Sequence, residues 1–368
     1  MKISVITPNF LIAGVPLAQV RFARALARSG HDVDLVIGRI DSAHPFPHVP
    51  EIKVVELKKA KVRNMLGSLR RYLRDAKPDV VFSAEDHLNA VVLLAAITTG
   101  SRAKISCSSR VTPFDTYSNA FFSKRWVLKQ LMRAVMWRAN ALTCVSKDMV
   151  LQYRTVFRAS PHVAVYNIVD DRRSRELMLE PVSHPWLADP VGDVLVAAGR
   201  LAPWKGFSDL VRAVKLLVDR GRDVRLLILG DGPLRAELET LISSLGLAGN
   251  VQLVGYVANP LKYFSRAKVF VLSSLVEGLP NVLVEAMMCG CTPVATNCPT
   301  GPDEVLQGGR FGFLVPVQDS VAMADAIGKA LDSPVPRALL DLAVKPFEET
   351  TVIRRHFEVL GIPVQGDA

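Results

Sequence analysis

Short apolar runs alternate with stretches of helical periodicity along the whole chain. Residues 3–6, 33–37, 80–82, 141–145 and 163–166 are β-branched and flat in polarity, which predicts parallel strands buried on both faces. Between them the period lengthens. Residues 16–29 carry apolar side chains at 17, 20, 22, 23, 26 and 27 and stop at Gly30, the pattern of a helix with one core-facing stripe. Repeated strand, helix and strand predict a doubly wound parallel sheet. Around Asp170 to Pro190 the pattern breaks. Asp170, Asp171, Arg172 and Arg173 cluster, and Pro181, Pro185 and Pro190 follow, so a domain boundary is placed there. The alternation restarts with strands at 194–198, 224–229, 251–254, 269–272 and 293–296, and residues 335–360 read as helical. The expected fold class is α/β, with two Rossmann-like doubly wound parallel-sheet domains, 1–180 and 181–346, facing across a cleft at the ends of their strands.

Composition narrows the function classes. The 368 residues are 49% hydrophobic and 22% charged, which excludes a disordered chain and leaves length for two cores. No run reaches the roughly 18 to 20 apolar residues of a membrane span. The apolar N-terminus is interrupted by Pro8 and Asn9 and reads as a first strand and its loop, not as a signal peptide. Cys107, Cys144, Cys289, Cys291 and Cys298 are too few for a disulfide framework and read as thiols of a reducing compartment. Charge is uneven. Residues 1–180 hold 28 Lys+Arg against 15 Asp+Glu, a net +13, whereas the remainder is at −3. A basic first half suits an anionic partner: phospholipid, a phosphorylated acceptor or nucleic acid.

Three segments carry chemistry. In the first, a strand ends near Ser273, a loop carries Glu277, Gly278 and Pro280, and a helix opens near Asn281 and stops at Gly290, with Glu285 on its second turn. A helix N-terminus fed by such a loop is an anion site, and carboxylates on either side of it suit hydroxyl-rich groups such as a sugar and a ribose. Taken alone, the segment reads equally as a surface helix with solvated glutamates. In the second, Arg200, Lys205 and Gly206 lie between a strand and a helix, where two cations can face a diphosphate. Read alone, this is a basic surface loop. In the third, residues 7–16 join the first strand to the first helix, too poor in glycine for a dinucleotide fingerprint.

Together these residues resemble a known family. Gly199-Arg200-Leu-x-x-x-Lys205-Gly206, then Gly230-Asp-Gly-Pro-Leu-Arg235, then Glu277-Gly-Leu-Pro-Asn-x-x-x-Glu285-Ala is similar to the retaining glycosyltransferases of family 4, which have the GT-B fold. Pro78-Asp-Val-Val81, Gly301-Pro-x-Glu-Val-Leu306 and Gly312-Phe-Leu-Val-Pro316 extend the resemblance over nearly the whole chain. The 301–306 element and Asn259-Pro260 are similar to members that build bacterial surface polysaccharides and glycan precursors, often from UDP-sugars. The resemblance implies a C-terminal nucleotide-sugar domain, an N-terminal acceptor domain, and a C-terminal helix at about 347–360 packing back on the latter.

It also implies roles. Arg200 and Lys205 hold the donor diphosphate, aided by the backbone at Asn281, Val282 and Leu283. Glu285 takes the ribose hydroxyls, and Glu277 the sugar hydroxyls near the reacting carbon. Gly14 brings backbone to the diphosphate on closure, and Tyr256 lies by the base. The chain departs from the family where many members have Gly-Gly, here Ala13-Gly14, and where many carry a histidine, here Ser108-Ser109-Arg110. Arg110 meets an acceptor phosphate or is a solvated loop arginine. Asp86 and His87 line the acceptor side, or Asp86 caps a helix.

The expected activity is transfer of a hexose or N-acetylhexosamine, with retention, from a nucleotide sugar (UDP favoured) to a lipid-linked or envelope glycan acceptor such as a polyprenyl-diphosphate-linked one. Neither a cofactor nor a metal is expected, because Arg200 and Lys205 meet the donor's charge. Asp32-x-Asp34 stands at the start of a strand, away from the active edge, and reads as surface. Trp126, Lys129, Arg133 and Trp137 are spaced to share a helix face suited to an anionic membrane, against the plainer reading of a solvated basic face. With the implied acceptors, this places the protein in the cytoplasm, peripheral on the inner face of the membrane. The alternatives are another GT-B enzyme, an epimerase or phosphorylase, and a basic nucleic-acid-binding protein. The last lacks any recognition motif and leaves Arg200, Lys205, Glu277 and Glu285 unexplained, so no nucleic acid is expected as partner.

Overall fold

A computed structural model describes residues 1–10, 14–41, 46, 49–158, 161–188 and 192–363. The chain divides into two compact units, Met1–Ile168 with Glu349–Ala368, and Val169–Glu348.

The first unit holds a seven-stranded parallel sheet: β1 Lys2–Thr7, β2 Asp32–Ile37, β3 Lys53–Glu56, β4 Val80–Ala84, β5 Lys104–Ser109, β6 Ala141–Cys144 and β7 His162–Ala164. Their order is β3-β2-β1-β4-β5-β6-β7, so the winding reverses between β1 and β4. Its core is the predicted one except at Leu17, which is 45% exposed. Ile3, Val5, Leu35, Ile37 and Phe82 of the sheet pack with Phe22, Ala23 and Leu26 of the helix Gly14–Arg28. The helix Glu349–Val359 closes this core with Val352, Ile353 and Phe357. Arg28 pairs with Glu349 at 2.5 Å, and Lys104 Nζ donates to the Leu360 and Gly361 carbonyls at 2.9 Å each. His356 lies buried against the rings of Phe22 and Phe82, which also contact each other.

The second unit holds β8 Asp193–Ala198, β9 Val224–Leu229, β10 Val251–Gly255, β11 Val269–Leu272, β12 Thr292–Thr296 and β13 Phe313–Val315, all parallel, in the order β10-β9-β8-β11-β12-β13. Its winding reverses between β8 and β11. Leu210, Val211, Val214 and Leu217 of the helix Phe207–Asp219 and Met323, Ala324 and Ile327 of the helix Ser320–Asp332 cover one face.

Two expectations are corrected, and one edge strand was not foreseen. The division falls at Ile168, earlier than the prolines, because Asp171 caps the helix Arg172–Leu177 and Asn259 Nδ2 ties its end by donating to the Leu177 carbonyl at 2.8 Å. Strand β3 escapes the apolar pattern because it is a mostly exposed edge. Asp34 is not at the surface: Tyr72 Oη donates to its Oδ2 at 2.6 Å and shares a second bond with Ser4 Oγ. All five cysteines are buried thiols. Among the described residues no helix is long and apolar enough to cross a membrane.

Candidate active site

In a doubly wound sheet, a crevice opens where neighbouring strands send their connections to opposite faces. In the second unit that place is the carboxyl end of β8 and β11, and the two most informative sequence segments follow these strands. After β8 the chain runs through Gly199 and Arg200 into a 3₁₀ turn, Pro203–Lys205, and then Gly206 at φ +63°. A Cβ on Gly206 would stand 2.1 Å from the Ser273 carbonyl oxygen, so only glycine lets this turn lie against the end of β11. Ser273 Oγ donates to the Lys205 carbonyl at 2.8 Å, and Leu275 N–H to the Trp204 carbonyl at 2.8 Å, which locks the two loops together. From the other side, Leu201 N–H donates to the Asp231 carbonyl at 3.0 Å and Leu234 N–H to the Leu201 carbonyl at 3.1 Å, so the 230–235 turn braces the Arg200 loop.

This scaffold sets one ion pair at the crevice. Lys205 Nζ lies 2.6 Å from Glu277 Oε1, with both side chains largely buried. Ser274 Oγ donates to the same oxygen at 2.6 Å. Glu277 Oε2 has no partner among the described residues and remains free to accept from a ligand hydroxyl. The Glu277 backbone is held by Pro299 and Thr300: its N–H donates to the Pro299 carbonyl at 2.8 Å, and its carbonyl accepts from Thr300 N–H at 2.9 Å. Ser274 and Thr300, which hold Glu277, are residues that the sequence reading missed. Serine and threonine are too common in loops for position alone to mark them.

The helix Asn281–Cys289 begins directly after Pro280, which brings no side-chain cap. Asn281 N–H turns to the Leu279 carbonyl and Leu283 N–H to the Pro280 carbonyl, both at 2.9 Å. Of the three amides expected to face phosphate, only Val282 N–H lacks an acceptor among the described residues. The Leu283 side chain is buried in the core. Glu285 stands half-buried one turn further on. Arg200 is exposed and without a partner among the described residues, and Tyr256 is 60% exposed beside the Gly230–Gly255 bridge.

In the first unit the reversal point lies between β1 and β4. Gly14 opens its helix there, while Ala13 lies outside the described residues. After β4 comes Glu85, at φ +81° in a region that side-chain-bearing residues rarely adopt. Glu85 Oε2 lies 3.3 Å from His87 Nε2. Burial pushes the Glu85 carboxyl above its ordinary range, against the pull of His87 and Arg110. Arg110 donates to Asn167 Oδ1, and burial lowers its guanidinium to about 10.

Asp86 is corrected on both readings. It neither caps the helix nor faces a ligand, being 3% exposed. Three hydroxyls surround its carboxylate: Ser109 at 2.9 Å and Tyr117 at 2.8 Å on Oδ1, and Tyr153 at 2.7 Å on Oδ2. The membrane face is corrected too. Lys129 is buried and donates to Asn119 Oδ1 at 2.7 Å, while Trp126 packs against Phe121 and Phe122. The α-helix ends at Val135 and continues as the 3₁₀ turn Met136–Arg138, so exposed Trp137 leaves the spacing that would align it with exposed Arg133.

The comparisons with known proteins agree with this architecture. Residues 192–333 match the family described as glycosyl transferases group 1, and residues 14–167 the glycosyl transferase 4-like domain. An uncharacterized glycosyltransferase of Methanocaldococcus jannaschii is 27% identical over 321 residues, 80% of this chain and 78% of its own. The Campylobacter jejuni N-acetylgalactosamine-N,N'-diacetylbacillosaminyl-diphospho-undecaprenol 4-alpha-N-acetylgalactosaminyltransferase is 28% identical over 278 residues, 75% of this chain and 73% of its own. Among solved structures, Anabaena HepE in complex with UDP superposes with a TM-score of 0.78 at 18% identity, covering 98% of this chain and all of that one, which fixes the fold. The lipopolysaccharide outer core galactosyltransferase WaaB gives 0.74 at 16% identity over 98% and 99%. With both domain families matched in order and the GT-B fold shared, the chain belongs to the family 4 glycosyltransferases.

Proposed function

We propose that this enzyme transfers a hexose or N-acetylhexosamine from a UDP-sugar, with retention, to a lipid-linked or envelope glycan acceptor. The observation that carries the proposal is the Lys205–Glu277 pair at the β8/β11 crevice, with a free carboxylate oxygen on one side and the open Val282 N–H nearby in the chain. Glycosyl transfer builds positive charge at the anomeric carbon and negative charge on the departing diphosphate. Lys205 and the Val282 amide are preorganised donors for that anion, and exposed Arg200 is a further cation for it. Glu277 Oε2 accepts from sugar hydroxyls, Glu285 accepts from the ribose, and Tyr256 flanks the base. The leaving phosphate oxygen takes the acceptor's proton on the same face, so no nucleophilic carboxylate is needed. The α-linkage named for the Campylobacter relative is in keeping with retention from an α-linked donor. No divalent ion is required in this scheme. Undiminished transfer in EDTA is expected, and rescue by Mg²⁺ or Mn²⁺ after loss would overturn that point.

The acceptor reading draws on the Campylobacter relative, whose name specifies a diphospho-undecaprenol-linked acceptor, and on the basic first half of the chain. The second unit then binds the donor, the first binds the acceptor, and the protein works at the inner face of a membrane. The deciding experiment is a thermal-shift panel with UDP, GDP and ADP on wild type and Glu285→Ala. UDP should raise the melting temperature of wild type, and less so that of the variant. Stabilisation by GDP or ADP alone would reject the UDP assignment, and equal stabilisation of both proteins would reject the role of Glu285.

A further inference from the structure

The reversal point of the first sheet opens into a cavity of about 1290 Å³, beyond the roughly 300–1000 Å³ of ordinary small-molecule pockets. Pro8 and Asn9 follow β1 into it, and Glu85 and His87 follow β4. Much of its wall is aliphatic, with Val62, Val91, Val127, Leu128 and Leu131. Leu128 and Leu131 face this cavity, while Met132 and Val135 of the same helix fill the interior. Lys61, Arg63 and Lys124 line the cavity as well, all exposed and without an ion-pair partner among the described residues. A sugar chain alone gives no reason for such a wall, since branched aliphatic side chains offer its hydroxyls no hydrogen bond.

A second observation lies beside the cavity. Phe121 and Phe122 are 77% and 87% exposed, and Phe122 adopts φ +61°. Their rings pack on Trp126, at 5.5 and 5.8 Å between centroids, and Lys124 and Arg125 follow directly. Ser123 Oγ caps the helix by accepting from Trp126 N–H at 3.1 Å, which fixes the aromatic tip against the helix start. An exposed aromatic cluster beside cations fits the headgroup layer of a bilayer. Phe122 belongs to both features, because it also lines the cavity.

We propose that this cavity holds the hydrocarbon chain of a phosphate-linked lipid, which enters past Phe121 and Phe122 and is anchored through its phosphates by Lys61, Arg63 and Lys124. The inference rests on the acceptor reading above and gives it a place in the molecule. Occupancy orders the chain along the aliphatic wall, and the three cations balance the charge of the diphosphate. The glycan then lies at the Glu85–His87 end, at the carboxyl edge of β4.

Farnesyl diphosphate is the probe, titrated calorimetrically into the full-length protein with UDP present at saturation so that the donor site is filled. Wild type should bind it. Leu128→Asp and the double variant Lys61→Ala/Lys124→Ala should bind at least tenfold more weakly, and inorganic diphosphate at equal concentration should not displace it. Phe121→Ser, at a position that is 77% exposed and does not line the cavity, should reduce co-sedimentation with vesicles containing anionic lipid while leaving farnesyl diphosphate affinity within about twofold. The UDP thermal shift of every variant reports that it is folded. No binding by wild type, equal binding by Leu128→Asp, or full displacement by inorganic diphosphate overturns the proposal. If UDP stabilises the protein and farnesyl diphosphate does not bind, the lipid groove fails while the transferase reading stands. If the lipid binds and no nucleotide stabilises, the donor reading fails instead.

Discussion

At the residue scale, the crevice depends on groups that serve one another. Lys205 is positioned by Glu277, Glu277 by Ser274, and the backbone of Glu277 by Thr300. Lys205→Ala should therefore lower kcat by about 10²- to 10³-fold, the usual effect of removing one donor to a developing anion. Ser274→Ala should act through Glu277 and raise KM for the donor more than it lowers kcat, as steady-state kinetics would show. Asp86→Ala strands the buried Ser109 and Tyr117 hydroxyls, leaves Tyr153 only the Val111 carbonyl, and should cost about 2–4 kcal/mol in urea unfolding, with no change in UDP binding. Which of these residues were legible follows from distance along the chain. Glu277 and Glu285 share one loop and helix, so spacing put both beside one helix start, and the family resemblance then implied their roles. The partners of Asp86 come from positions 109, 117 and 153, and no local pattern announces their convergence. Lys129 misled because helical spacing puts it on a face without saying which face the fold covers.

At the scale of elements, strand ends do the positioning. The apolar runs forecast ten of the strands, and the reversal points between β1 and β4 and between β8 and β11 then follow from topology. What escaped was the close packing between loops. Gly206 sits 2.1 Å, measured from where a Cβ would be, from the Ser273 carbonyl oxygen, and its φ is positive. Gly206→Ala should push the Lys205 turn away from β11, abolish the UDP thermal shift, and cost about 1–3 kcal/mol of stability. The helix Glu349–Val359 supplies a different kind of test. Burial, with Arg110 adding to it, lowers His356 to about 3, and burial with Arg154 behind it lowers His162 to about 4. Both histidines are neutral when folded and protonate when unfolded. Stability is therefore complete above their ordinary value near 6.5 and is lost as pH falls toward 3 to 4, at up to about 1.4 kcal/mol per pH unit for each. Denaturant melts between pH 7 and pH 4 should show this slope, and His356→Leu should flatten it by about half.

At the scale of the whole molecule, the two units differ in how they are cut from the chain. The second is one continuous stretch, Val169–Glu348, whereas the first joins Met1–Ile168 to Glu349–Ala368. A fragment of residues 169–348 should unfold cooperatively by calorimetry and retain the UDP shift. A chain ending at 348 should keep that transition and lose the first unit's, because Phe22 and Phe82 are then uncovered. Two similar sheets were readable from periodicity. The return of the last helix to the first sheet was implied only by family resemblance, since an amphipathic helix does not encode which core it covers. That return reverses the order of maturation on the ribosome. At about 5–20 residues per second, the 168-residue opening segment must wait roughly 10 to 40 s for its closing helix, while the unit encoded later finishes first. During that interval the nascent chain displays a phenylalanine-lined gap, and the cell's holdase chaperones would find their binding site there.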